Sequence, residues 1–416
     1  MSIDRNALLA AIAYADDDDQ TPWMAFADWL EEHGETVAAA FVQDSREFPA
    51  VQGITLLNWE RYRPIVARLQ LPPGIEGPIE GRAGSVRVTL PIRVFMRWAL
   101  AHRNVDWPVM IHIQIRSLSE LEETYVFLRD FSQPTLRIGL ILYLTCNSQV
   151  MKVLAQMSEL VAMEFRDPFE AVQREPMPIL PRLQSIILNH DAITADTFAS
   201  LIAQPMLKSL TFMNVRRPIL PMLETIREAK SLRSLWVDSQ QSLPSTMLQM
   251  WTQSLPLERL TLHGFNPLND RELTMLRSCP RLRDLSMAFM NLSGVRDPGP
   301  IAEFRLLERL DLSGLRHSIS PAMLTTLAGL PRLTELSLGY NEHLTDSALI
   351  PLMDLSNLRI LHLHGSPRLT GKCVPILARL RSLRGLDLTG SDGIRLRERE
   401  LLRRVLPGCV ILPIGR

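Results

Sequence analysis

The stretch LTELSLGYNEHLTDSAL, residues 333–349, decides how this chain folds. Leu333, Leu336 and Leu338 give the pattern L-x-x-L-x-L, in which leucines are separated by polar residues. The pattern predicts a short strand with one buried face, and the TDSAL segment that follows predicts a helical return. One strand and its return segment do not bury these leucines alone, so the stretch requires neighbours of the same kind.

The same pattern recurs along the second half of the chain. Nine copies begin at Leu183, Leu207, Leu232, Leu257, Leu282, Leu307, Leu333, Leu358 and Leu383. Their first positions are separated by 24, 25, 25, 25, 25, 26, 25 and 25 residues, a period that chance apolar clusters do not keep. Weaker copies begin at Met110 and Leu160, TLRIGLILYL (135–144) is a strand of ambiguous register, and Cys409, Leu412 and Ile414 predict a closing strand.

Repetition at this period is typical of leucine-rich repeats. We therefore predict an α/β fold, namely a leucine-rich repeat solenoid with a curved parallel sheet, a helical convex side and a small helical N-terminal domain. The predicted divisions are 1–48 for a helical module, 49–104 for a transitional segment and 105–416 for the solenoid with its C-terminal cap. Pro72-Pro73-Gly74 marks the break within the transitional segment.

Four aspartates, Asp16–Asp19, stand just before the first strong helix signal. Thr21 and Pro22 favour a helix start, because threonine caps free amides and proline at the first position loses no needed donor. An apolar stripe follows at Trp23, Phe26, Ala27 and Leu30, and Gly34 suits the helix end. The aspartates lack the alternation with glycine of a calcium loop, so we interpret them as a loop before a helix.

The segment NALLAAIAYADDDDQTPWMAFADWLEEHGETVAAAFVQ, residues 6–43, resembles the repeat-companion domain, a bacterial N-terminal module with an A-D-W-L-E-E-H-G core. The matching residues are Thr21, Pro22, Phe26, Ala27, Asp28, Trp29, Leu30, Glu31, Glu32, His33, Gly34, Phe41 and Gln43. Ala40 departs from the family, which usually has an acid there. The resemblance continues loosely through EGRAGSVRVTL (80–90) to about residue 115. It implies no catalytic activity, and it implies that repeats follow.

Composition excludes several classes of function. The formal net charge is zero and the pI is about 7.1, which removes the electrostatic argument for a nucleic-acid partner. Four cysteines without a CxxC pair predict reduced thiols and a cytoplasmic location, and no apolar run is long enough for a membrane span. The chain has no GxGxxG after a strand, GxxxxGK[ST], HExxH or GxSxG sequence. We predict no enzyme activity, no cofactor and no metal.

Residues between the repeat leucines point out of the concave face of the predicted sheet, and stacking brings equivalent positions together. Arg259, Asp284, Arg309 and Glu335 therefore form one row of alternating charge. The simpler interpretation is a surface ion-pair ladder, and the functional interpretation is a polar patch for a protein partner.

Trp236 is predicted to be exposed on the same face, with Met213 on the neighbouring strand. An exposed aromatic residue with a small apolar surround is typical of a binding hot spot. The alternative is that an adjoining loop covers it.

His362 and His364 are predicted on one face of one strand, with Asp387 beside His362. Two imidazoles and a carboxylate suit a metal, but residues i and i+2 of a strand lie about 6.5–7 Å apart and no orienting carboxylate is evident. We predict solvent-exposed histidines near Asp387 that belong to the partner-binding surface.

The sequence thus favours a non-catalytic scaffold that binds a protein or peptide on the concave sheet, without nucleic acid or membrane. The predicted partner-binding residues are Trp236, Met213, Arg259, Asp284, Arg309, Glu335, His362, His364 and Asp387. One alternative is a metal-dependent enzyme that uses the acidic loop or the His/His/Asp cluster. Another is a structural module for self-assembly.

Overall fold

The structure is a computed structural model that describes residues 5–14, 21–47, 86–102, 107, 109–131, 136–166, 176–189, 195–215, 220–239, 245–264, 268–315, 319 and 321–413. The chain forms two compact units. The first contains Met1–Ile186 and Ala192–Met206, and the second contains Ile187–Asp191 and Leu207–Arg416. The acidic run Asp16–Asp19 and the Pro72-Pro73-Gly74 break lie outside the described residues.

The first unit begins with three helices, α1 (Arg5–Tyr14), α2 (Thr21–Glu32) and α3 (Thr36–Glu47). The predicted apolar stripe of α2 is confirmed, because Trp23, Phe26, Ala27 and Leu30 are its buried residues. Arg5 Nη1 lies 2.8 Å from Glu35 Oε1, so an ion pair links α1 to the turn before α3. Leu8 and Leu9 of α1 and Val42 of α3 are buried too, so each of the three helices has an apolar side away from solvent.

Four parallel strands follow in the first unit. They are β1 (Val86–Pro91), β2 (Val109–Ile115), β3 (Leu136–Leu142) and β4 (Leu160–Phe165), with helices α4 (Ile92–Ala101), α5 (Leu118–Arg129) and α6 (Ser148–Leu154) between them. Ile113 pairs with Leu140, and Leu140 pairs with Met163, which settles the ambiguous register of 135–144. Strand β5 (Ser185–Leu188) and helix α7 (Ala195–Ile202) come next.

The described part of the second unit contains nine further strands, which shorten from seven residues in the first to three residues in each of the last six. The strands are β6 (Ser209–Val215), β7 (Ser234–Ser239), β8 (Arg259–His263), β9 (Asp284–Ser286), β10 (Arg309–Asp311), β11 (Glu335–Ser337), β12 (Ile360–His362), β13 (Gly385–Asp387) and β14 (Val410–Leu412). All neighbouring pairs from β6 to β14 are parallel. Within the described ranges the sheet has fourteen strands in chain order, which confirms the predicted parallel sheet.

Return segments of the second unit are α-helices or 3₁₀ helices. The α-helices are α8 (Leu220–Thr225), α9 (Ser245–Ser254), α10 (Asp270–Leu276), α11 (Pro321–Ala328), α12 (Val374–Leu377) and α13 (Leu396–Val405), and the 3₁₀ helices are Ile226–Glu228, Gly299–Glu303, Asp346–Asp354 and Gly371–Cys373. Their apolar sides cover the strand leucines, and Leu310, Leu336 and Leu361 are buried as predicted. Each repeat therefore hides its leucines from water only with its neighbours in place.

The predicted register of the closing strand was wrong. Leu386 pairs with Ile411, not with Leu412, and Ile411 is the buried residue. Residues 409–412 are all apolar, so the alternation that fixes the register elsewhere is missing here. Ile414 lies outside the described residues.

Asn341 supports the turn after β11 as a buried amide. Its Nδ2 donates to the carbonyls of Leu312 and Leu338 at 2.9 Å each, and its Oδ1 accepts from Leu315 N at 3.0 Å. Ser391, at the equivalent position in a later repeat, accepts from Ser366 N at 3.1 Å and donates to Leu363 O at 2.7 Å. Serine thus supplies part of the support that asparagine gives.

Most charged side chains of helix α13 are at least partly exposed, but one of its arginines is not. Arg399 is buried and donates to the carbonyls of Ile394, Leu388 and Ser391. These carbonyls lie in and just after the repeat of strand β13. The charged side chain of Arg399 therefore satisfies backbone acceptors at the C-terminal end of the described repeats. Leu401, on the same helix, is exposed.

Candidate functional site

The predicted row of alternating charge exists. Arg259 pairs with Asp284, Asp284 with Arg309, and Arg309 with Glu335 along the strand register. Arg309 Nη2 lies 2.5 Å from Asp284 Oδ2, so these two side chains form a close ion pair. Burial opposes the charge of Arg309, but Asp284 and Glu335 outweigh it and raise the pKa of the guanidinium.

Trp236 lies on β7 and is 37% exposed, as predicted. Its ring meets His263 of β8 edge to face, with centroids 5.4 Å apart. Met213 lies on the adjacent strand β6 and is half-buried. The structure therefore leaves the Trp236 ring accessible and adds His263 as a neighbour that the sequence did not single out.

A hydrogen-bonded polar chain runs across neighbouring strands beside Trp236. His263 Nε2 lies 3.1 Å from Ser286 Oγ, and Ser286 Oγ donates to Asp311 Oδ2 at 3.2 Å. Asp311 Oδ1 then accepts from the backbone N of Ser313 at 2.9 Å. Ser313 Oγ continues the chain to Ser337 Oγ at 2.6 Å. Burial lowers the pKa of His263, which favours the neutral imidazole in this row of hydrogen bonds.

The predicted cluster of His362, His364 and Asp387 is tighter than strand spacing alone suggested. Asp387 Oδ2 lies 3.4 Å from His364 Nδ1 and 3.8 Å from His362 Nδ1. The two imidazole rings stand nearly perpendicular, with centroids 6.0 Å apart. One potential ligand atom of each residue lies within 4.8 Å of the other two. The three side chains lean together, so their donor atoms are close enough to hold one metal ion.

Two expectations about this cluster were wrong. His362 is only 2% exposed, so it is a buried histidine and not a solvated one. A second carboxylate does face it, because Glu335 Oε1 lies 3.7 Å from His362 Nε2. The register explains this, since Ser337 lies directly beside His362 and Glu335 lies two residues earlier on the same outward face.

The charges around His362 set its protonation. Burial opposes the imidazolium, but Asp387 and Glu335 outweigh it and raise the pKa of His362 to about 9. Burial also opposes the Asp387 carboxylate, and the two histidines with Thr389 N outweigh it and hold the pKa of Asp387 well below its ordinary value. Asp387 and Glu335 therefore stabilise the positively charged form of His362 in a mostly buried position.

Two aromatic residues were missed by the sequence prediction. Phe289 and Tyr340 both adopt a left-handed backbone conformation, with φ of 59° and 55°. The same repeat position holds glycine with positive φ in other repeats, at Gly264, Gly314, Gly365 and Gly390. This position recurs at the repeat period, so aromatic residues in a column of glycines were the signal available in the sequence.

The two rings form a surface that we call the aromatic shelf, defined as Phe289 and Tyr340. They are 52% and 55% exposed, and their centroids lie 6.2 Å apart. Tyr340 also meets the ring of His364 edge to face at 4.7 Å. The shelf is thus continuous with the His362, His364 and Asp387 cluster.

Holding these residues in the left-handed region costs stability. A residue with a Cβ loses roughly 1–2 kcal/mol there, and a bulky one is a genuine outlier. Glycine in the neighbouring repeats avoids that cost. Strain that persists at an exposed position points to a role for the side chain itself.

Of the similar solved structures, the first one described here supports the fold. The complex of Rad7 and Elc1 in yeast has a TM-score of 0.52 and 17% identity, covering 93% of this chain and 89% of that chain. An internalin, inlF, from Listeria monocytogenes has a TM-score of 0.45 and 16% identity, covering 79% of this chain and 87% of that chain. The TLR13–ssRNA13 complex has a TM-score of 0.38 and 16% identity, covering 72% of this chain and 52% of that chain. Neither a protein-family model nor a curated protein sequence matches.

The repeated strands, the helical returns and the Rad7 likeness together define a leucine-rich repeat fold. A fold of this kind does not by itself fix a function or name a partner. In the part of the chain that the structure describes, no helix has both the length and the apolar character to cross a membrane.

Proposed function

We propose that this chain is a non-catalytic scaffold that binds a protein or peptide on the outward face of its second-unit sheet. The observation that carries the proposal is the aromatic shelf, where Phe289 and Tyr340 stay exposed in a backbone conformation that glycine takes in other repeats. Exposed aromatic side chains with few rotamers supply contact area at low entropic cost.

The surroundings of the shelf favour a protein ligand. The polar chain from His263 through Ser286, Asp311 and Ser313 is already hydrogen-bonded, so its donors and acceptors need little ordering on binding. Backbone amides and carbonyls of a peptide are suitable partners for such a row. Aromatic anchors beside an ordered polar row match the anatomy of protein interfaces.

The residues predicted from the sequence extend this surface. Trp236 is a second exposed anchor, with Met213 on the neighbouring strand. The Asp284–Arg309 pair is half-buried, so its charges are less screened by solvent than those of a fully exposed pair. We assign it to partner selection, because complementary charges mainly discriminate between partners and raise association rates.

Replacement of both shelf residues by glycine tests the proposal. Phe289→Gly with Tyr340→Gly removes the rings and keeps a residue that tolerates positive φ, so the fold is retained. We expect at least a tenfold loss of affinity for partners that co-purify with the full chain, and a smaller loss with Trp236→Ala. Circular dichroism and thermal melting confirm folding.

A matched control is Ile350→Ala, because Ile350 is similarly exposed but lies on the 3₁₀ return helix Asp346–Asp354. Loss of binding with the control, or full binding with the shelf variant, would reject the shelf as the contact surface. Capture of a second copy of the chain, seen by light scattering, would support self-assembly instead.

The finer assignments made from the sequence also belong to this proposal. The N-terminal helices act as a repeat-companion module of bacterial type, on the strength of the A-D-W-L-E-E-H-G core and the confirmed stripe of α2. A reducing compartment such as the cytoplasm is supported by the four cysteines, which are all buried and form no disulfide within the described residues.

A further inference from the structure

We propose that His362, His364 and Asp387 form a binding site for a divalent transition-metal ion, with Glu335 as the group that orients His362. The site lies beside the aromatic shelf, and it does not depend on the identity of any protein partner. The repeat architecture does not require this combination of residues. At the equivalent positions of the other repeats only His263 and Asp311 repeat the identities of His364 and Asp387, and neither His362 nor Glu335 is repeated.

Distances between the donor atoms fit a small metal ion. Zinc binds nitrogen at about 2.0–2.1 Å and carboxylate oxygen at about 2.0–2.2 Å, which places tetrahedral ligands about 3.4 Å apart. Asp387 Oδ2 and His364 Nδ1 are 3.4 Å apart, and Asp387 Oδ2 and His362 Nδ1 are 3.8 Å apart. Small rotations of the imidazole rings complete the geometry, since the donor atoms of all three residues lie within 4.8 Å of one another.

Two buried imidazole nitrogens that lie near carboxylates without forming hydrogen bonds supply further support. His364 Nδ1 and His362 Nε2 are both buried and make no hydrogen bond to any described residue. A buried polar atom without a partner costs about 1–3 kcal/mol, so such atoms call for an explanation. Coordination of a metal ion would explain His364 Nδ1, which faces Asp387.

His362 Nε2 is explained by the second carboxylate. In metal sites the ring N–H that does not face the metal usually donates to a carboxylate or carbonyl, which fixes the orientation of the ring. Glu335 Oε1 lies 3.7 Å from His362 Nε2, a slight movement away from hydrogen-bond distance. Nδ1 of His362 then faces Asp387 and the ion.

The backbone also makes room for this arrangement. A Cβ on Gly339 would lie 2.4 Å from Cε1 of His364, so only glycine at that position lets the His364 ring lie over the neighbouring repeat. Asp387 is held as well, because its Oδ1 accepts from Thr389 N at 2.9 Å and leaves Oδ2 directed at the histidines.

The donor set selects the kind of ion. Two imidazoles with one carboxylate suit Zn²⁺ and related first-row ions better than Ca²⁺ or Mg²⁺, which prefer oxygen. Three protein ligands leave at least one coordination position for water or for a group of a bound partner. His364 is partly exposed, so that position is reachable from solvent.

Titration of the full-length, metal-stripped protein with Zn²⁺ tests the proposal, after removal of any polyhistidine tag. Calorimetry should show one ion per chain, and the cobalt-loaded protein should show visible absorption typical of low coordination number. We expect His364→Ala and Asp387→Asn to weaken binding at least tenfold. Glu335→Gln should weaken it about 10- to 100-fold, as orienting groups do elsewhere.

His343→Ala is the matched control, because His343 is an exposed histidine in the same repeat region outside the cluster. His364→Ala leaves the leucine core untouched, so its folding is verified by an unchanged melting temperature without metal. Absence of stoichiometric Zn²⁺ binding in the wild-type chain would overturn the proposal. Equal binding by the wild-type and His364→Ala chains would overturn it as well.

Discussion

The ring of Phe289 leans over Gly314 of the next repeat and approaches the ring of Tyr340 to 6.2 Å between centroids. Gly314 and Phe289 occupy the same position in consecutive repeats, and both have positive φ. The glycine therefore serves two purposes. It adopts the left-handed turn without strain, and it leaves the space into which the neighbouring aromatic ring fits.

Gly314→Ala should break this relationship. A Cβ at Gly314 would lie 2.3 Å from ring carbons of Phe289, and alanine is strained at φ of 63°. We expect a loss of about 1–3 kcal/mol in the free energy of unfolding and a displaced Phe289 ring. Urea unfolding measures the first effect, and weaker partner binding reports the second.

Gly329→Ala provides the control for this substitution. Its φ is outside the left-handed region, and the nearest atom to an added Cβ is Thr326 O at 3.4 Å. We expect stability unchanged or raised by up to about 1 kcal/mol. Equal destabilisation by the two substitutions would show that the shelf does not depend on Gly314.

Asn341→Ala should be among the most destabilising single changes in the repeats. The amide satisfies three buried backbone groups, and alanine leaves them without partners. We expect a cost of about 2–4 kcal/mol from the unmet hydrogen bonds. Denaturant unfolding of the full chain measures it.

Asn357→Ala is the comparison for that measurement, because Asn357 makes one exposed hydrogen bond, from Nδ2 to Pro331 O at 2.9 Å. We expect a cost below about 1 kcal/mol. A similar cost for both asparagines would mean that the buried amide does not support the turn.

The leucine pattern predicted the parallel sheet, its core and the order of charges on its outward face. It succeeded because the strand period of two fixes which face is buried wherever leucine and polar residues alternate. It failed at residues 409–412, where every residue is apolar. The burial of His362 was also missed, because that depends on how side chains lean across strands and not on their order along the chain.

The aromatic shelf was harder to predict for a different reason. The sign of φ at Phe289 and Tyr340 is set by the turn that the repeat imposes, and aromatic residues have no intrinsic preference for it. In the sequence, the requirement for positive φ is indicated only by the glycines at the equivalent positions of other repeats. The ligand preference of the His/His/Asp cluster likewise depends on distances that sequence spacing does not fix.

The native thiols should be unreactive. Burial raises the pKa of Cys279, Cys373 and Cys409 to about 12 each, and Cys146 is buried as well. Because the thiolate is the reactive form, we expect very slow labelling by a disulfide reagent at about pH 8 and rapid labelling of all four after denaturation. Fast labelling of the folded chain would contradict the burial of these residues.

The most direct test of the proposed function is photo-crosslinking from the shelf itself. A photoreactive phenylalanine analogue replaces Tyr340 in one sample and Leu401, which is comparably exposed on α13, in another. Both are irradiated in a lysate of the source cells, and adducts are identified by mass spectrometry. We predict a discrete protein adduct from position 340 that Phe289→Gly diminishes, and none of the same mass from position 401. Adducts of equal yield and identity from both positions would contradict the claim that this face of the sheet binds the partner.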